Sequence, residues 1–192
     1  MRRTGLVAVI LLGAVAALAA CDRGEKAGPK AAAASAPALQ GFQHEPGFDV
    51  QGFYRSEAPV QAGNLKLNLI AIGAPSDFQT WESGARDGMF GPIWMLFDDV
   101  TSPPISNEIG HGSHAVTVRV LPESYTVSPG KVTFRGKDAR LGEVVFEGAF
   151  DTAAFAQAKE SGTSEDKPVL SGALRIGETR IPNLALAYWV GD

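Results

Sequence analysis

The chain has 192 residues, 45% of them hydrophobic, and sets 17 lysines and arginines against 21 aspartates and glutamates for a formal charge of −4. That acidic balance excludes a nucleic-acid partner, whose phosphates need a basic face. A single cysteine rules out an intramolecular disulfide, so the fold must hold by its core alone.

Arg2 and Arg3 open the chain as a positive segment, and Gly5 to Ala20 follow as an apolar run too short to span a bilayer comfortably. This is the pattern of a cleaved export signal rather than a transmembrane helix. The run ends in Leu18-Ala19-Ala20-Cys21, which resembles the lipobox of bacterial lipoproteins. The resemblance implies cleavage between Ala20 and Cys21, a diacylglyceryl group on the thiol and an acyl group on the new amine. The expected partner is then a membrane, reached through lipidated Cys21, because two or three acyl chains hold where one binds only marginally. Asp22, directly behind the cysteine, resembles the signal that retains enteric lipoproteins in the inner membrane, but the rule transfers poorly between bacteria and leaves the choice of membrane open. The expected location is the cell envelope, with the domain on the periplasmic side.

Once residues 1–20 are removed, 15 basic and 21 acidic residues remain, a formal charge of −6. Residues 21–40 read as a tether, with alanine, proline and charge but no large apolar side chain between Asp22 and Leu39. As a flexible coil of about 19 residues it would reach roughly 25 Å. Residues 41–192 then form one globular domain, long enough to bury about two-thirds of its surface.

Within that domain, short alternating runs separated by glycine, proline and asparagine predict strands. Leu65, Leu67 and Leu69 alternate with Lys66 and Asn68 before the run turns apolar on both faces at Ile70 to Ile72. Val116, Val118 and Val120 alternate against Thr117 and Arg119. Ser128-Pro129-Gly130 predicts a hairpin with a type II turn, which needs a positive φ at its third position. Glu143 to Phe150 places Val144, Phe146 and Phe150 on one face and Glu143 and Glu147 on the other. Gly177-Glu178 predicts a glycine-first hairpin that sets Arg175 opposite Arg180, a like-charge pair that Glu178 or an anion could relieve. Leu184 to Val190 reads as the last strand.

Two helices interrupt the strands. Ser76 and Gln79 have capping-box spacing for a helix toward Glu82, and Asp151 can cap Thr152 to Glu160, stopped before Gly162. The predicted fold is all-β, a β-sandwich or jelly-roll-like single domain with one or two short connecting helices; a small closed β-barrel is the alternative.

Candidate chemistry concentrates in the loop Val100 to Ser113. His111 and His114 stand at H-x-x-H spacing beside Glu108, and imidazole with carboxylate suits zinc; the competing reading is solvated loop histidines. Ser113 lies next to His114 but lacks the strand-turn-helix setting of a nucleophile elbow. Asp98 and Asp99 are adjacent, so they cannot flank a cleft as glycosidase carboxylates do, and instead mark a strand leaving the core.

Tyr54, Trp81, Trp94, Tyr188 and Trp189 could form a platform for a sugar ring or peptide. The apolar run Ile93 to Phe97 favours the core for Trp94, whereas one of Tyr188 and Trp189 must leave the main core face. The functional expectation is a membrane-anchored envelope lipoprotein acting as a non-enzymatic binding or accessory module, its partner an envelope protein or glycan. The alternative is a zinc-binding protein or metal-dependent enzyme built on His111 and His114.

Overall fold

The computed structural model describes residues 41–86, 88–105, 113–164 and 167–191. Cys21, Glu108 and His111 lie outside the described residues.

The first half of the chain supplies β1 (Phe42–His44), β2 (Gly52–Arg55), β3 (Gln61–Ala62), β4 (Leu65–Ile72), helix α1 (Pro75–Glu82) and β5 (Ile93–Asp99). Next come β6 (Pro104–Ile105), β7 (Ser113–His114), β8 (Thr117–Val120) and β9 (Pro122–Ser128). The second half adds β10 (Lys131–Asp138), β11 (Gly142–Phe150), helix α2 (Thr152–Ser161), β12 (Leu170–Ile176) and β13 (Thr179–Trp189). The domain is therefore all-β with two short connecting helices.

One 11-stranded sheet runs in the order β1-β9-β10-β11-β12-β13-β2-β4-β5-β8, with β3 beside β4. It curls into a half-barrel, and two strands change partner along their length. β13 pairs with β12 up to Leu186 and with β2 from Ala187. Leu121 alone separates β8, which pairs with β5, from β9, which pairs with β10. Strands that switch sheets make the corners of orthogonal packings. At this second corner a Cβ on Gly136 would lie 2.4 Å from the Leu121 carbonyl oxygen, so only glycine lets the bend close.

The predicted alternation fills the interior. Val144, Phe146 and Phe150 of β11 are buried, as are Val118 and Val120 of β8, Phe134 of β10, and Leu184, Leu186 and Tyr188 of β13. In β4 a bulge between Leu67 and Leu69 resets the register, so Leu65 and Leu67 face the core and then Ile70 and Ile72 do. Pro182 does not end a strand, contrary to the break predicted there. Pro182 and Asn183 instead form a bulge opposite Ala173, where a missing N–H costs the ladder nothing.

The hairpins form where predicted. Ser128 pairs with Lys131 around Pro129-Gly130, but Gly130 is not among the glycines with positive φ, so the turn is not type II. Ile176 pairs with Thr179 around Gly177, whose φ is +54°, and Arg175 faces Arg180. Relief comes from Glu143 on β11 rather than Glu178: its carboxylate pairs with both Arg135 and Arg175. Those two arginines hold the Glu143 pKa below its ordinary value, the hydrogen bond from Arg175 contributing most.

Asp151 caps α2 as predicted, accepting from the N–H groups of Ala153 and Ala154 at 3.1 and 2.9 Å, and Gly162 ends it in the left-handed region. Helix α1 starts differently. Pro75 occupies its first turn, the cap position is Ala74, and Asp77 accepts from the Ala74 N–H at 2.8 Å, so the Ser76–Gln79 pair is not used.

Helix α1 carries Phe78 onto His44 of β1, ring centroids 3.5 Å apart and nearly parallel. Burial lowers the His44 pKa, and the nearby Glu82 carboxylate opposes that shift only in part. The folded state therefore prefers neutral His44, while the unfolded chain takes up its proton near pH 6.5. Stability is predicted to fall as pH drops below about 6.5 toward the lower folded value. Urea midpoints between pH 7.5 and 5 would read this loss, and His44→Phe should flatten it; an equally steep fall in the variant would assign it to other groups.

Candidate functional site

The loop that carried the predicted metal ligands is partly a ribbon, with Pro104 opposite His114 and Ile105 opposite Ser113. His114 Nδ1 lies 2.8 Å from the Ser102 carbonyl oxygen, which spends one ring nitrogen on the loop's own backbone. No group of three metal-ligating side chains is found among the described residues.

β5 ends at Asp98 and Asp99, both buried, as expected of a strand leaving the core. Asp99 accepts from the Thr101 hydroxyl at 2.6 Å, from the Thr101 N–H at 3.0 Å and from Asn64 Nδ2 at 2.8 Å, and it pairs with Arg140. The Thr101 hydroxyl and then Arg140 hold its carboxyl well below the ordinary range. Asp98 takes one bond from Asn68 Nδ2 at 2.7 Å, and its Oδ1 has no partner. The two carboxylates serve the strand end and do not converge.

The aromatic side chains organise differently. Tyr54, Trp81 and Tyr188 are buried, so they do not join a platform. Tyr54 donates its hydroxyl to the Val50 carbonyl, and burial pushes its pKa well up. Trp94, expected in the core, faces outward: Ile93, Met95 and Phe97 take the buried side of β5 and leave Trp94 half-buried on the other. Trp189 likewise leaves the core face while Tyr188 stays in it.

Register then aligns the outward residues. Trp189 pairs with Phe53, Phe53 with Ala71, and Ala71 with Trp94, a row across four adjacent strands. Neighbouring strands are about 4.8 Å apart, so the row runs about 14 Å along the sheet. Ala71 leaves a saddle between the rings of Phe53 and Trp94. Phe53 carries no local signal in the sequence; only the pairing of β2 with β4 and β13 puts it there.

Arginines lie on these rings. The Arg55 guanidinium sits 4.1 Å from the Trp189 ring centre, and that of Arg119 sits 4.3 Å from Phe90 and 4.7 Å from Trp94. Phe90 meets Trp94 edge-on at 5.9 Å and is 51% exposed; its neighbour Met89 is 58% exposed. Each such cation–π contact contributes about 0.5–1 kcal/mol at an exposed site.

At its Trp94 end the row opens into a cleft of about 740 Å³ between α1 and the start of β5, within the usual range for ligand sites. Trp81 and Arg86 form one wall, and Phe90 and Trp94 another. Arg86 is exposed, with its guanidinium 4.7 Å from the Trp81 ring centre and 5.1 Å from that of Phe42. Its Nε donates to the Trp81 carbonyl at 3.2 Å. Asp77 lines the far side, engaged with the Ala74 N–H, and the Thr80 hydroxyl donates to the Ser76 carbonyl. The arrangement offers flat rings for stacking and guanidinium charge beside them.

The fold and this face together define a class: an all-β single domain bearing an outward aromatic and arginine surface. Comparison with known proteins found no matching family model, no matching curated protein and no matching solved structure.

Proposed function

We propose that this chain is a lipid-anchored lipoprotein of the bacterial cell envelope whose β-domain is a non-enzymatic binding module. The observation that carries the binding role is the in-register row Trp189, Phe53, Ala71 and Trp94. The interior is already filled by Tyr54, Phe146, Phe150 and Tyr188, so the outward rings are not needed to complete it. Large half-exposed aromatics flanked by arginine are the residue types that dominate recognition surfaces. The envelope role rests on Leu18-Ala19-Ala20-Cys21 and on the tether behind it.

The anchor is tested by growing expressing cells with a labelled fatty acid. The wild-type chain is expected to take up label and fractionate with membranes. Cys21→Ser should carry no label and retain its leader, and normal labelling of that variant would sink the lipoprotein reading.

A further inference from the structure

Resting on the binding-module reading, we infer that the cleft walled by Trp81, Arg86, Phe90 and Trp94 binds an acidic carbohydrate, a chain of sugar rings bearing carboxylates. The ring faces supply the first half of the argument. A sugar presents a flat apolar face edged by hydroxyls, which suits stacking on indole and phenyl rings. The cleft continues into the row Trp94, Ala71, Phe53 and Trp189, so successive rings of one ligand would meet successive aromatics on adjacent strands.

Charge supplies the second half. The chain without residues 1–20 is acidic, yet this face gathers three arginines, two of them, Arg86 and Arg119, outside every ion pair found among the described residues. Asp77 is the one carboxylate among the cleft's lining residues, and it caps α1. Donors also outnumber acceptors here: Trp81 Nε1 and Arg119 Nε are buried without a partner. An oxygen-rich anion is the chemistry such a surplus of N–H groups recognises. The Arg86 guanidinium, held flat by Trp81 and Phe42 and exposed, is placed to take the carboxylate bidentately.

The test titrates the full chain in detergent micelles, following tryptophan fluorescence, with tetragalacturonate, neutral maltotetraose and tetraglutamate. Tetragalacturonate is expected to bind saturably and to weaken as salt rises, with maltotetraose and tetraglutamate at least about tenfold weaker. Arg86→Gln should weaken tetragalacturonate about tenfold, Arg86→Lys less, and Trp94→Leu should weaken all sugar binding, with urea midpoints checking that each variant is folded. Maltotetraose binding as tightly, or salt-independent binding, would overturn the acidic assignment while leaving the face a binding site. Equal binding of tetraglutamate would overturn carbohydrate in favour of peptide. Tetragalacturonate binding unchanged in both Arg86→Gln and Trp94→Leu would overturn the cleft itself, and failure of all three probes would overturn the inference.

Discussion

Gly172→Ala is expected to cost about 3 kcal/mol of folding stability, the upper part of the range for an overpacked site, although it adds one methyl group. A Cβ built on Gly172 would lie 2.2 Å from the Glu147 carbonyl oxygen and 2.6 Å from the Gly148 Cα. Both are backbone atoms of β11, and backbone cannot rotate away as a side-chain tip can. Gly172 stands directly opposite Gly148, where a Cβ would in turn lie 2.6 Å from the Ser171 carbonyl oxygen and from the Phe146 ring. The bulge formed by Pro182 and Asn183 begins at the next residue, so the paired glycines mark the place where the sheet bends. Against a typical total stability of about 5–15 kcal/mol, such a loss is a large fraction. Gly130→Ala is the control: it meets nothing within 4 Å, lies outside the left-handed region and should stay within about 0.5 kcal/mol of wild type. Urea unfolding reads both, and a Gly172→Ala midpoint matching that of Gly130→Ala would mean that β11 and β12 do not approach so closely.

That glycine pair shows where sequence reading stops. Alternation in β4, β8 and β11 was legible because each keeps one polar and one apolar face over several residues. The Asp151 cap and the Gly177 turn were legible because their chemistry is local. Trp94 was not, since Ile93 to Phe97 is apolar on both sides and period two leaves no mark in a uniform run. The bulge after Leu67 is hidden for the same reason, because every residue from Leu69 to Ile72 is apolar. Pro182 misled because a proline that breaks a regular strand is at home in a bulge, and a bulge is defined only by the partner strand. The aromatic face is the extreme case: Phe53, Ala71, Trp94 and Trp189 come from four strands, and nothing in any one of them announces the others. Cross-strand register also assigned Glu143, 32 residues from Arg175, to the arginine pair that adjacent Glu178 was expected to serve.

Phe155→Ala should be the costliest large-to-small change outside the strands, at about 3–5 kcal/mol, and Trp94→Ala should cost only about 1 kcal/mol although it removes a larger ring. Phe155 on α2 is buried and meets Phe150 at 5.5 Å, Tyr188 at 5.3 Å and Phe48 at 5.6 Å, with Tyr54 at 6.3 Å, so its loss leaves a cavity walled by rings that are themselves fixed in β2, β11 and β13. Neighbours so constrained relax little, and cavity cost grows with the volume left unfilled. Trp94 is half-buried, and water fills the space it vacates, so only its contacts with Phe90 and Arg119 are lost. Equilibrium unfolding of the two variants would measure the contrast. Equal losses would place Trp94 in a packed interior and remove the reason to assign it a surface role. A large loss at Phe155 with a small one at Trp94 would leave the outward tryptophan contributing little to folding, and its contacts with Phe90 and Arg119 available for recognition instead.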